Sequence, residues 1–372
     1  MRERMSMYNA NALKIGLFGP NCSSGRAVTL VPERWSGNWP DNLRLARMAD
    51  DAGIDFLLPI ARWKGYGGDT DYQGATFETV NWASGLLAAT KRITVFGTVH
   101  APLFNPIIAA KEFVTADHIG EGRFGLNIVV GWNEGEFDMF GVKQREHDAR
   151  YDYAQEWIDV VKLAWSRDGT FDFDGQYLKL KGARAYPKPY GDNRPLMMNA
   201  GSSDVGQAFA LRNCDAFFVA TAGSRTSLAG NAAKVAEVKS AAGKLGRQIE
   251  VFTVGQVICR PTQGEAEDYY RHVNIDNADW GAIDGMLANK SITSQTIGPE
   301  EYEKKRRYFA ANAIGGYPFV GTPDRVAEEL AMISQAGVRG IGLSFVNYLA
   351  EVPYFCDEVL PRLARLGVRE NP

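Results

Sequence analysis

Asn127 stands inside an apolar run, Leu126 to Val130, that is long enough for a strand buried on both faces. An amide in such a strand must find hydrogen-bond partners, so it is either a core amide bonded to neighbouring backbone or a ligand contact. The run continues through Gly131-Trp132 into an acidic loop containing Glu136, and this grouping from Gly122 to Phe140 points to an active site. Thr98 and His100 close another apolar stretch with one hydroxyl and one titratable ring. His100 reads as a structural ring or as an acid, base or substrate hydrogen-bond partner.

Three further segments carry chemistry. In Ala200-Gly-Ser-Ser-Asp-Val-Gly206 a strand gives way to a helix, so backbone N–H groups at Gly201, two hydroxyls at Ser202 and Ser203, and the helix dipole converge where a phosphate fits. The alternative is that Ser203 or Asp204 simply caps the helix. Ala61-Arg62-Trp63-Lys64-Gly65-Tyr66 places two cations and two aromatics in one loop, either along a planar ligand or as a solvated turn. Arg150 and Tyr151 open a helix. Arg150 either forms a surface bridge with Glu136 or, with Tyr151, holds a phosphate by charge-assisted hydrogen bonds.

The composition removes other chemistries. Four scattered cysteines and four histidines without ligand spacing argue against a structural metal or a disulfide framework. A net charge of −3, from 41 basic and 44 acidic residues, offers no field for nucleic acid or an anionic membrane. No apolar run approaches the roughly 20 residues that span a bilayer, and the first residues lack a secretory core; a cytoplasmic protein is expected. Neither G-x-G-x-x-G after the first strand nor a P-loop is present, which favours a mononucleotide phosphate over a dinucleotide.

These residues need a scaffold, and strand-like and helix-like segments alternate through the chain. Strands are expected at 13–18, 54–60, 93–99, 124–130, 196–199, 216–220, 251–258 and 340–345, with helices between, from 41–52 to 352–366. Eight strands so arranged predict a single α/β domain over 1–372, a (β/α)8 TIM barrel with its active site at the carboxyl ends of the strands. Phe171 to Leu180 alternates about Asp174-Gly175 and reads as a small hairpin excursion with a two-residue turn. Residues 264–317, polar and ending in Gly315-Gly316, form an insertion between strands seven and eight that is read as a mobile lid or an oligomer contact.

Gly65-Tyr-Gly67, Asn105-Pro106, Asp117-His-Ile119, Gly122-Arg-Phe-Gly-Leu-Asn127, Gly131-Trp132, Glu136-Phe137, His147-Asp-Ala-Arg-Tyr151, Phe173-Asp-Gly-Gln-Tyr177, Pro187-Lys-Pro189, Ala200-Gly-Ser-Ser203 and Gly321-Thr-Pro323 occur in an order that runs nearly end to end. In these motifs the chain resembles the bacterial luciferase-like superfamily of flavin-dependent monooxygenases, nearest to its pyrimidine and dimethylsulfone branches. The resemblance implies a barrel that takes reduced FMN from a separate NAD(P)H-dependent flavin reductase and reacts it with O2 to oxidise or cleave a small polar substrate such as a heterocyclic amide or sulfone. It implies flavin contacts at Ala61, Arg62, Thr98, Asn127 and Glu136, and a phosphate end at Arg150, Tyr151 and Ser203, to which the turn read above adds Gly201 and Ser202. Thr98, Asn127 and His100 become the catalytic set, with the first two expected to hold a reacting oxygen by hydrogen bonds, in a homodimer or homotetramer. The chain departs from the pyrimidine branch at Val130 and at Ala61-Arg62-Trp63, and from the dimethylsulfone branch in that loop and at His100. The same superfamily holds F420-dependent reductases and dehydrogenases and non-catalytic flavin-binding proteins, which are the alternatives.

Overall fold

The computed structural model describes residues 5–219, 231–312 and 316–370. Its strands are, in chain order, β1 (Lys14–Phe18), β2 (Phe56–Leu58), β3 (Thr94–His100), β4 (Phe124–Val129), β5 (Phe171–Asp174), β6 (Lys179–Ala183), β7 (Leu196–Asn199), β8 (Ala216–Phe218), β9 (Glu250–Cys259), β10 (Tyr317–Gly321) and β11 (Gly340–Ser344). Eight of them pair in parallel in the order β1-β2-β3-β4-β7-β8-β9-β11, and β11 returns to β1, which closes the barrel. These are the expected eight strands. Ala220, the expected end of the sixth, and Gly315 lie outside the described residues.

The barrel closes because its strands are apolar on both faces. Outside, helices such as α1 (Trp39–Asp51), α2 (Thr79–Ala89) and α3 (Pro106–Ile119) bury Leu45, Leu86 and Phe113 against the sheet. Inside, Phe56 sits edge-on to Phe96 at 6.0 Å and to Phe252 at 5.8 Å. Such rings need empty space opposite them. A Cβ on Gly16 would lie 2.3 Å from the Phe56 ring, and one on Gly125 would lie 2.3 Å from Phe96, so glycine at both sites is a packing requirement.

Four local expectations are corrected. The hairpin turn is longer than two residues, because Asp174 pairs with Lys179. Glu156 accepts hydrogen bonds from the backbone N–H groups of Gln176, Tyr177 and Leu178 at 2.6, 2.9 and 2.9 Å, which holds the wider turn open and ties it to the barrel. The acidic loop is a short helix, α4 (Glu134–Met139), and the next helix, α5 (His147–Ser166), begins a turn before Tyr151. The fourth is β10, which the sequence hides because Pro318 interrupts it; it pairs with β9 over Gly255 to Cys259, beyond the part used by β8.

The 264–317 insertion is largely helical among its described residues. It comprises Gln263–Arg271, a π turn at His272–Asp276, Trp280–Ala288, Ser294–Ile297 and Pro299–Ala311. Ala282, Ile283, Met286 and Leu287 pack with Val28 and Tyr72 from the loops after β1 and β2. That places the insertion at the carboxyl end of the barrel.

Candidate active site

Barrel register brings the first two candidates together. Thr98 and Asn127 are direct partners across β3 and β4. The Thr98 hydroxyl donates to the carbonyl oxygen of Pro59 at 2.7 Å, so its lone pair is left to accept from Asn127 Nδ2 at 3.2 Å. This orientation leaves Asn127 Oδ1 buried without a partner among the described residues. The Thr98 proton is already committed and Asn127 offers an acceptor. The expected pair of oxygen-holding donors is therefore an anchored amide that presents one open acceptor.

Glu136, on α4, organises a second group. Its Oε1 accepts from Arg62 Nη1 at 3.0 Å, from the Trp63 amide at 2.9 Å and from the Lys64 amide at 3.4 Å. The Arg62 guanidinium then lies 4.6 Å over the Tyr66 ring and 5.6 Å from Trp132, with the two rings stacked at 6.3 Å. The loop after β2 is thus a clamped cation–π layer and not a solvated turn. Arg150 does not bridge to Glu136, because Arg62 occupies the carboxylate.

His100 Nε2 lies 3.8 Å from Glu136 Oε2. Burial pushes the His100 pKa down to about 4 despite the attraction of that carboxylate, so the ring is neutral near pH 7. An unfolded His100 titrates near 6.5, hence between 6.5 and about 4 the unfolded chain binds more protons and stability falls as pH drops through that window. Urea unfolding of His100→Gln against the parent should show up to about 3 kcal/mol less loss in the variant over that range. Parallel pH profiles would count against the neutral buried ring.

The phosphate-end candidates gather elsewhere, around a cleft of about 590 Å³ lined by Arg150, Tyr151, Gly201, Ser202 and Ser203, together with Trp132 and His147. Arg150 is positioned by a bond from Nη1 to the carbonyl oxygen of Gly131, and its Nε is buried without a partner among the described residues. Ser203 caps helix α6 (Asp204–Asn213), accepting from the Gly206 amide at 3.2 Å, and is hydrogen-bonded to the Tyr151 hydroxyl. The capping reading of Ser203 therefore holds, and the same residue faces the cleft. The Gly201 amide is not free for an anion, because it donates to Asn199 Oδ1 at 2.7 Å.

Ala61, Arg62, Thr98 and His100 border a separate void of about 20 Å³ beside Phe77, Glu78 and Phe104. Asn127 joins that group through Thr98, and Glu136 joins it through Arg62. Trp132 links the halves, since it lines the cleft and stacks on the Tyr66 layer. Sequence reasoning missed Asn199, whose Nδ2 donates to the Ile128 carbonyl at 2.7 Å. A polar residue at the end of an apolar strand, the signal used for Asn127, would have found it. It also missed Asn289, Lys290 and Ser291 of the insertion, which line the cleft and gave no local signal.

A family model described as luciferase-like monooxygenase matches residues 13–340. An FMNH2-dependent dimethylsulfone monooxygenase of Pseudomonas fluorescens is 30% identical over 96% of this chain and 96% of its own. The pyrimidine monooxygenase RutA of an Enterobacter species is 28% identical over 94% and 96%. Among solved structures, a riboflavin lyase superposes with a TM-score of 0.83 at 22% identity, covering 96% of this chain and 93% of that one. At that identity the superposition establishes the fold.

Proposed function

Because the chain belongs to the luciferase-like monooxygenase family, we propose that it is the oxygenating component of a two-component system, taking reduced FMN from a separate NAD(P)H:flavin reductase and using O2 to oxidise or cleave a small polar substrate. The observation that carries this reading is the cleft. Arg150, Tyr151, Ser202 and Ser203 line it, and no Asp or Glu stands among its described lining residues. Such a lining suits a phosphate dianion. Across Trp132 lies a polar set in which Asn127 Oδ1, His100 Nδ1 and Arg62 Nε are buried without partners among the described residues, a set able to hold the polar edge of a ring.

Reduced FMN, when bound, supplies the electrons that activate O2. The chain's own part is placement. In this reading Arg150, Tyr151, Ser202 and Ser203 bind the phosphate and Gly201 shapes the turn. Ala61, Arg62 and Glu136 set the loop against the flavin, while Asn127, Thr98 and neutral His100 orient its reacting side and exclude water. As proposals of the same kind, 1–372 acts as one catalytic domain in the cytoplasm, as a homodimer or homotetramer. No described helix is long and apolar enough to cross a membrane.

Anaerobic titration with reduced FMN and with F420, followed by O2 and a panel of small amides, sulfones and related compounds, tests the assignment. FMN binding with product formation supports it. Preferred binding of F420 would move the protein to the deazaflavin reductases, and FMN binding without any product would leave a flavin-binding role. At the phosphate end, Arg150→Ala should weaken FMN binding by about 1.5–3 kcal/mol. Ser203→Ala should weaken it less while also costing about 1 kcal/mol of stability through the lost cap. Unchanged affinity in both variants would place the anion site elsewhere.

A further inference from the structure

We propose that Lys290, carried into the cleft by the 264–317 insertion, is a second cation for the phosphate of the bound flavin, acting on the same group as Arg150. This rests on the FMN reading above and assigns the insertion to the cofactor site.

The position is built and not incidental. Helix Trp280–Ala288 is fixed on the barrel by its apolar face and by Asp279, whose Oδ2 accepts from the Thr70 amide at 2.9 Å and from its hydroxyl at 2.7 Å. A Cβ on Gly285 would lie 2.1 Å from the Tyr66 carbonyl oxygen, so the helix backbone rests directly on the loop that carries Arg62. The chain turns immediately afterwards: the Lys290 amide bonds to Leu287 O at 3.0 Å, the Ser291 amide bonds to Ala288 O at 2.8 Å, and Ser291 takes a φ of 57°. That turn directs Asn289, Lys290 and Ser291 to the cleft lined by Arg150.

The charge of Lys290 is uncompensated. Its Nζ lies 5.6 Å over Trp132 and 5.2 Å over Phe309, and among the described residues it forms no ion pair or side-chain hydrogen bond. Although the residue is exposed, nearby protein partly desolvates the ammonium and lowers its pKa, a cost that an arriving anion reverses. Arg150 and Lys290 thus line one cleft with no carboxylate among its described lining residues, a surrounding that suits a ligand of charge near −2.

Comparing FMN with riboflavin, which lacks the phosphate, isolates the contact. In the full-length protein, Lys290→Met should raise the FMN Kd about tenfold and leave the riboflavin Kd unchanged, and Lys290→Arg should restore FMN binding. Arg150→Ala serves as the reference for the phosphate end. If Arg150→Ala loses FMN selectively while Lys290→Met binds it as the parent does, the Lys290 inference is overturned and the FMN reading stands. If neither variant separates FMN from riboflavin, both fail together.

Discussion

Replacing Asn127 by alanine should leave FMN bound and lower product formation by about a hundredfold. The expectation follows from a chain of hydrogen bonds in which each direction is forced. The Pro59 carbonyl can only accept, so the Thr98 hydroxyl donates to it, and Asn127 must then turn Nδ2 toward Thr98. Its Oδ1 is held open in a buried site by residues on two paired strands, a preorganised acceptor of the kind that fixes a ring with little reorganisation. Thr98→Val removes the anchor at nearly constant volume and should lower turnover less, because the amide keeps its place on β4 but loses its fixed orientation. The measurement is product formation at saturating reduced FMN, with a substrate taken from the panel, beside the FMN Kd of each variant. Parental turnover in both would reduce this pair to structural polar groups.

Glu136→Ala should cost about 3–5 kcal/mol of stability, the loss expected when one member of a buried ion pair is removed. The Arg62 and Glu136 side chains are 8% and 1% exposed, so the guanidinium would be left with little access to water. The Trp63 amide would lose its acceptor at the same time. Glu136→Gln keeps the shape and one acceptor oxygen, and should fall between the variant and the parent. Urea unfolding followed by tryptophan fluorescence reads both. A loss below about 1 kcal/mol in the alanine variant would mean that the Tyr66 and Trp132 rings hold the Arg62 loop without the carboxylate.

Much of the scaffold was legible because it is written in local pattern. Leu126 to Val130 reads as a two-sided buried strand from five consecutive residues, and Asn105-Pro106 starts a helix that forms at that point. The failures share a cause. Glu134–Met139 looked like an acidic loop because six residues are too few to show helical period, and Tyr317–Gly321 was lost because Pro318 argues against a strand unless the neighbouring strand is known. The hairpin turn depended on Glu156, a residue on another element.

The sequence by itself determined the alternation of strands and helices, the count that closes a barrel, the strands that carry Thr98, His100 and Asn127, and the two separate helix starts that carry Arg150 with Tyr151 and Ser203. Each depends on neighbours within a turn or two of chain, where side-chain period and backbone preference act directly. Tertiary structure alone decided which groups meet. Arg62 rather than Arg150 takes Glu136, Thr98 fixes the direction of the Asn127 amide, Asn199 occupies the Gly201 amide, and Lys290 enters a cleft whose other walls come from distant, earlier segments of the chain. These pairings arise when barrel closure sets strand register and packs the insertion onto the loops at its mouth, so they depend on distances between segments that no local pattern encodes.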